Sequence, residues 1–202
     1  MFDQVLWFSA RGAGVVSLLL STVVVCLGLA TVVRWQAPGW PRFLTVEVHR
    51  SVALLSIVFV GLHVATAIFD PFTSLGILAA VVPLASTYRP LPVALGVVSV
   101  DLLIAVIITS LLRERIGHRV WRAVHWLAYA AWPLAVLHGL TAGSDAFAPW
   151  MLAIVAGCCL AVAAALVYRL VAGGPIRDSL VEVAGRSSRP PGSEASTPRN
   201  GR

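Results

Sequence analysis

The sequence predicts an all-α membrane protein: a bundle of five transmembrane helices with a short extracytoplasmic interfacial or re-entrant segment. Three observations predict it. The 202-residue chain is 58% hydrophobic and 12% charged, with mean hydropathy +0.87, far more apolar than a soluble domain of that length. Five apolar runs are each long enough, at about 20 residues, to cross a bilayer core about 30 Å thick. The basic residues, all of them Arg, gather at alternate ends of those runs. A membrane β-barrel would instead show shorter segments that alternate apolar and polar.

The elements follow in order. Residues 1–11 read as a short external leader with Trp7 as an interfacial anchor. The first span, Gly12–Val33, carries no ionisable group and reads as a packing helix. It is longer than the apolar region of a signal peptide, so a retained helix is expected. The loop Arg34–Glu47 carries Trp35, Trp40, Pro38 and Pro41, the composition of a membrane–water interface. The second span is Val46–Phe69. Phe72–Ala85 is apolar but too short to span, and Pro71, Pro83, Pro90 and Pro92 punctuate its surroundings; this is the interfacial or re-entrant piece. The third span is Leu91–Leu112, the fourth Val120–Leu140 and the fifth Ala148–Val171. Residues 172–202 turn to Gly, Pro, Ser and Arg, a composition that buries too little surface to fold alone. They read as a disordered basic cytoplasmic tail, attracted to anionic lipid. The three units are thus 1–11, 12–171 and 172–202. No repeat of 20–50 residues is present.

Charge placement sets the orientation. Arg34, Arg42 and Arg50 lie between the first two spans; Arg113, Arg115, Arg119 and Arg122 lie between the third and fourth. Arg169, Arg177, Arg186, Arg189, Arg199 and Arg202 lie at or beyond the end of the fifth, and only Arg11 and Arg89 fall on the opposite side. The positive-inside rule then places the N-terminus outside and the C-terminus in the cytoplasm of the cell membrane. The net charge of +6 is therefore a topology signal and not a nucleic-acid surface. Cys26, Cys158 and Cys159 lie within spans without metal-ligand spacing and read as small apolar packing residues.

Against this background four histidines stand out. His49 and His63 sit 14 residues apart on the second span, and His125 and His138 sit 13 apart on the fourth. An ionisable side chain at membrane depth is costly and marks function. Fourteen helical residues separate His49 from His63 by about 21 Å and leave them about 40° apart, on one face. Thirteen leave His125 and His138 about 140° out of alignment. Pro133 lies between them, so a distortion near Trp132–Pro133 is expected. Both spans run from inside to outside, which pairs His49 with His125 near the cytoplasm and His63 with His138 near the exterior. Neutral imidazole is a good iron ligand. Two bis-His haems, one in each leaflet, would form a path for electrons across the membrane. Zinc needs its ligands clustered, and these pairs are a leaflet apart.

The segments VEVHRSVALLSIVFVGLHVATAIFD and WRAVHWLAYAAWPLAVLHGLTAGSD resemble the ferric reductase-like transmembrane domain, over about residues 8–170. That superfamily includes NADPH oxidases, ferric reductases and the membrane haem subunit of the bacterial methionine sulfoxide repair system. Its pattern of one His pair spaced 14 and another spaced 13 stands here as His49/His63 and His125/His138. The resemblance implies a helical bundle holding two haem b groups. NADPH oxidases and eukaryotic ferric reductases also carry a flavin and nicotinamide domain; no G-x-G-x-x-G unit is present here. The chain looks more like stand-alone bacterial members, fed by quinol or a separate flavoprotein reductase.

Other residues have candidate roles. Arg50 and Arg122 flank the inner ligands and Arg89, with Tyr88, stands at the outer mouth; each is a candidate for haem propionates. Gly61, Ala65 and Gly139 flank ligands and would admit a porphyrin. His118 reads as a solvated loop residue. Two readings of Asp101, midway along the third span, stay open: a partner to a haem ligand or proton relay, and a neutral carboxyl bonded to Ser99 or Thr109. The expected function is transmembrane electron transfer to an extracytoplasmic acceptor, ferric iron or a redox partner protein. The alternatives are an anchor or quinol-oxidising haem subunit of a larger complex, a protein with a single haem, and a proton-coupled transporter relaying through His and Asp101.

Overall fold

The structure, a computed structural model, describes residues 2–33, 41–71, 73 and 75–173. The expectations for the tail, and for Arg34, Trp35, Pro38, Trp40 and Phe72, lie outside the described residues. Among the described residues eight helices follow one another: α1 Phe2–Val32, α2 Arg42–Phe69, α3 Gly76–Val81, α4 Pro90–Leu111, α5 Arg113–Ile116, α6 His118–His125, α7 Ala128–Ala142 and α8 Pro149–Gly173. No strand occurs among the described residues.

Helix limits follow local chemistry. α1 begins at Phe2, so residues 2–11 continue the first apolar run as one helix. Pro41 precedes α2 in an extended conformation, and Asp70 ends it in extended backbone, as the residue before Pro71 must. α4 starts with Pro at its first turn, where the missing N–H is harmless. Gly117, at φ +80°, makes the corner between α5 and α6 that side chains disfavour.

Among the described residues four helices are long and apolar enough to cross a membrane: Gln4–Val32, Phe43–Phe69, Pro90–Leu111 and Pro149–Ala172. The fourth expected span, Val120–Leu140, is divided between α6 and α7 by a turn at Trp126–Leu127. The distortion expected at Trp132–Pro133 thus falls one to two turns earlier, and Pro133 lies inside α7. A proline ring presses on the carbonyl four residues before it, here Tyr129, and strain is relieved in the turn leading to that carbonyl. There the backbone is overwound: the N–H groups of Leu127, Tyr129 and Ala130 donate to Val124, Trp126 and Leu127, each three residues back. Each tight step adds about 20° of rotation. That is the sense needed to bring His138 round towards the face of His125.

α1 is the centre of the bundle, packing on α2, α7 and α8. Leu18, Val136, Met151, Val155 and Cys158 form one buried cluster, and Val25, Leu29 and Val162 another. Hydroxyls fasten the helices where lipid offers no alternative partner. Trp132 Nε1 donates to Thr22 Oγ1 at 3.0 Å, Ser99 Oγ donates to the carbonyl of Ala131 at 2.9 Å, and Ser21 and Ser56 hydroxyls meet at 3.0 Å. α4 lies against α6 and α7, whereas α2 leans on α1 and makes little contact with α4 or α7. Two walls result, α2 on one side and α4 with α6–α7 on the other, joined by α1. The bundle exposes Leu54, Val58, Leu62, Ile104, Ile108 and many like them. Backbone satisfied within helices beneath an apolar surface is what a bilayer demands, and the chain is an integral membrane protein.

Candidate functional site: two histidine pairs

The two walls carry the histidines. α2 runs unbroken through both His49 and His63, so the 14-residue spacing keeps them on one face. His125 closes α6 and His138 lies in the last turns of α7. Ring centres of His49 and His125 are 6.4 Å apart with planes at 63°; those of His63 and His138 are 6.1 Å apart at 73°.

Three of the four rings are seated in the same way. His63 Nδ1 donates to the carbonyl of Ala10 at 2.7 Å, His49 Nδ1 to Val24 at 3.1 Å and His138 Nδ1 to Pro92 at 2.8 Å. A carbonyl only accepts, so Nδ1 carries the proton and Nε2 keeps its lone pair. Four residues after each carbonyl stands a glycine: Gly14, Gly28 and Gly96. A Cβ on Gly14 would lie 3.0 Å from His63 Nδ1, one on Gly28 3.4 Å from His49 Cε1, and one on Gly96 2.7 Å from His138 Nδ1. The missing side chain lets the ring reach the carbonyl of the preceding turn. Gly14 and Gly28 are 14 apart on α1, matching His49 and His63 in antiparallel order. The expected close approaches at Gly61 and Gly139 are instead open: a Cβ at Gly61 meets nothing within 4 Å, and one at Gly139 only Met151 Cε at 3.9 Å.

His125 differs. Its Nδ1 is buried without a hydrogen-bond partner. Its ring stacks on Trp121 at 4.9 Å and 30°, and Trp121 is held by donation from Nε1 to Ser110 Oγ at 3.2 Å. Sequence reasoning missed Trp121, whose stack on His125 and bond to Ser110 follow from the packing of α6 on α4.

The chemistry of the pairs can be read from their spacing. A first-row metal binds an imidazole nitrogen at about 2.0–2.1 Å and that nitrogen lies about 1.1 Å from its ring centre, so two imidazoles that share one ion would have centres up to about 6.3 Å apart. Both pairs sit at that separation. Among the described residues no group of three or more His, Cys, Asp and Glu gathers to hold a metal ion. Each pair offers two imidazoles, and the glycine seats, which leave Nε2 free on three of the four rings, fit a metal centre that would bring its remaining ligands with it.

The remaining candidates are placed less directly. Arg122 donates from Nη2 to His118 Nδ1 at 3.3 Å, both exposed; His118 also lies 5.2 Å from the Trp121 ring. Arg50 is exposed beside His49. Arg89 Nη1 donates to the carbonyls of Thr141 and Ala142 at 3.0 and 3.4 Å, capping α7, with its guanidinium 5.9 Å from the Tyr88 ring. Arg11 is ion-paired to Asp145 and donates to Ser144 Oγ at 2.7 Å. Ser99 and Thr109 are not partners of Asp101: Ser99 donates to Ala131, and Thr109 donates to Ala105 and Val106. Cys26, Cys158 and Cys159 are free thiols; Cys158 belongs to the Leu18 cluster and Cys26 packs against the Val25 cluster.

Comparison with known proteins adds one finding. The sequence model of the family described as ferric reductase like transmembrane component matches residues 13–136, a stretch that holds His49, His63 and His125 and stops two residues short of His138. No curated protein and no solved structure matches the chain. With more than half its length matched and the paired histidines set across two walls of a helical membrane bundle, the chain belongs to the ferric reductase-like transmembrane component family.

Proposed function

We propose that the protein carries electrons across the membrane through two b-type haems, one held by His49 and His125 near the cytoplasm and one by His63 and His138 near the exterior. The observation that carries this reading is the 6.4 and 6.1 Å separation of the ring centres, the distance at which two imidazoles share one ion. Haem supplies reversible one-electron chemistry when bound, and two His ligands leave no coordination position for substrate. The protein's part is to orient: the carbonyls of Ala10, Val24 and Pro92 fix the tautomer of three imidazoles and point Nε2 of each away from the helix that seats it. Arg50 and Arg122 would offer charge to inner propionates and Arg89 to outer ones, Arg89 while still capping α7.

In this reading α6 and α7 together make one crossing, giving five, with the N-terminus outside and the segment around α3 at the outer interface. The donor is a quinol or a separate flavoprotein; the acceptor is ferric iron or a redox partner outside. A second reading, a haem subunit within a larger complex, is favoured by the low burial of α2, 11% of its apolar window against 28% for α1. Haem-loaded protein in vesicles that enclose ferricyanide tests the proposal. With a membrane-impermeant reductant outside, the wild type should consume the trapped oxidant and His63→Ala should not. Two bound haems with no consumption would refute a transmembrane path.

A further inference from the structure

The three seated histidines and the single unseated one divide unequally between the pairs. In the outer pair, His63 and His138 both donate from Nδ1 to a carbonyl of a neighbouring helix. In the inner pair His49 does so, at the longest of the three distances, and His125 does not.

The cause lies on α4. There, Gly96 and the Pro92 carbonyl seat His138. One ligand spacing further along that helix, 13 or 14 residues on, stand Thr109 and Ser110 where the pattern calls for a glycine. The carbonyls four residues before them, of Ala105 and Val106, are already taken. Thr109 Oγ1 donates to Ala105 at 2.8 Å and to Val106 at 3.2 Å, and Ser110 Oγ donates to Val106 at 2.6 Å. The fourth seat is therefore filled by α4's own hydroxyls, and an aromatic stack on Trp121 is what supports His125.

A hydrogen bond from Nδ1–H to an acceptor makes the opposite nitrogen a stronger donor to a metal, and stronger donation favours the oxidised ion. Resting on the proposed haem ligation, we propose that the carbonyl seats set the order of potentials: the outer haem, with both imidazoles seated, has the lower potential, and the inner haem, with His125 unseated, the higher. Gly14, Gly28 and Gly96 are then positioning residues that act through the ligands. One feature reinforces the order, and a second offsets the uphill step that it implies. The exposed Arg113, Arg115, Arg119 and Arg122 lie at the inner end, where positive charge favours the reduced centre. With the cytoplasm at negative potential, the field across the bilayer drives the electron outward over this step.

The test is a potentiometric reduction of the purified protein followed in its visible and paramagnetic-resonance spectra. Two waves are expected, and the single wave that survives in His63→Ala should be the higher one. Gly14→Ala, whose Cβ crowds His63 without removing it, should move the lower wave upward and leave the higher in place. Gly157→Ala, on α8 with nothing within 4 Å, should move neither. If His63→Ala does not accumulate, the Gly14→Ala shift alone decides. Survival of the lower wave in His63→Ala, a shift of the higher wave in Gly14→Ala, or no shift would overturn the inference while leaving two haems in place. A protein that binds no haem would instead refute the functional reading beneath it.

Discussion

Gly96→Ala separates the fold from its site. A Cβ at this position would stand 2.7 Å from His138 Nδ1, 2.8 Å from Cε1 and 3.0 Å from Cγ. Ordinary contact begins near 3.4 Å, so the ring must retreat from α4 by about 0.7 Å. Pro92 lies on the same helix, and the retreat stretches the 2.8 Å bond to its carbonyl to about 3.5 Å, the edge of hydrogen bonding. Loss of that bond costs about 1 kcal/mol, and disturbing an outer-shell partner of a metal ligand costs about 10–100-fold in affinity. The helix itself gains, because alanine is favoured over glycine by up to about 1 kcal/mol in a helix interior. Haem-free Gly96→Ala should therefore melt no lower than the wild type, while its outer haem escapes at least about tenfold faster to an excess of a haem-scavenging apoprotein. Equal haem retention in the variant and the wild type would refute the role of the seat. A lower melting temperature of the haem-free form would show instead that Gly96 serves only packing.

Three further predictions concern the scaffold. Thr22→Val removes the acceptor for Trp132 Nε1 at 3.0 Å in a buried site and should destabilise the bundle by about 1–2 kcal/mol, measured by thermal unfolding in detergent. Arg89→Gly should change stability by less than about 1 kcal/mol, because relief of left-handed backbone at φ +41° offsets the lost cap on α7; a larger loss of melting temperature would assign Arg89 a heavier role. Pro133→Ala restores a backbone donor to Tyr129 and relaxes the overwound turn at residues 124–130, rotating His138 away from the face of His125. That variant should keep its helix content by circular dichroism and lose haem; unchanged haem content would detach the turn from ligand register.

Much of this architecture is legible in the sequence, for physical reasons. Spans are read from apolar length, since the bilayer sets one threshold for every helix, and α1, α2, α4 and α8 met it. Histidines are legible because an ionisable ring in an apolar run is costly without a task. The division of α6 from α7 was harder, because Pro133 marks strain while the turn that absorbs it lies upstream, where Trp126 and Leu127 carry no breaker signal. The glycine seats were missed although their signal was present: Gly14 and Gly28 repeat the 14-residue spacing of His49 and His63, and only the antiparallel packing of α1 on α2 gives the match meaning. Gly61 and Gly139 stand nearer their ligands in sequence, but close approach is decided across helices. Arg89 is an isolated charge in sequence; its use as a cap depends on where α7 ends.

The central claim is the pairing of four histidines into two centres, and counting haem in double variants tests it most directly. The wild type should bind two b-type haems per chain by pyridine haemochrome. His63→Ala/His138→Ala removes both ligands of one proposed centre and should leave one haem. His49→Ala/His63→Ala takes one ligand from each and should leave none. One haem surviving in the second variant, or none in the first with the bundle still folded, would contradict the pairing.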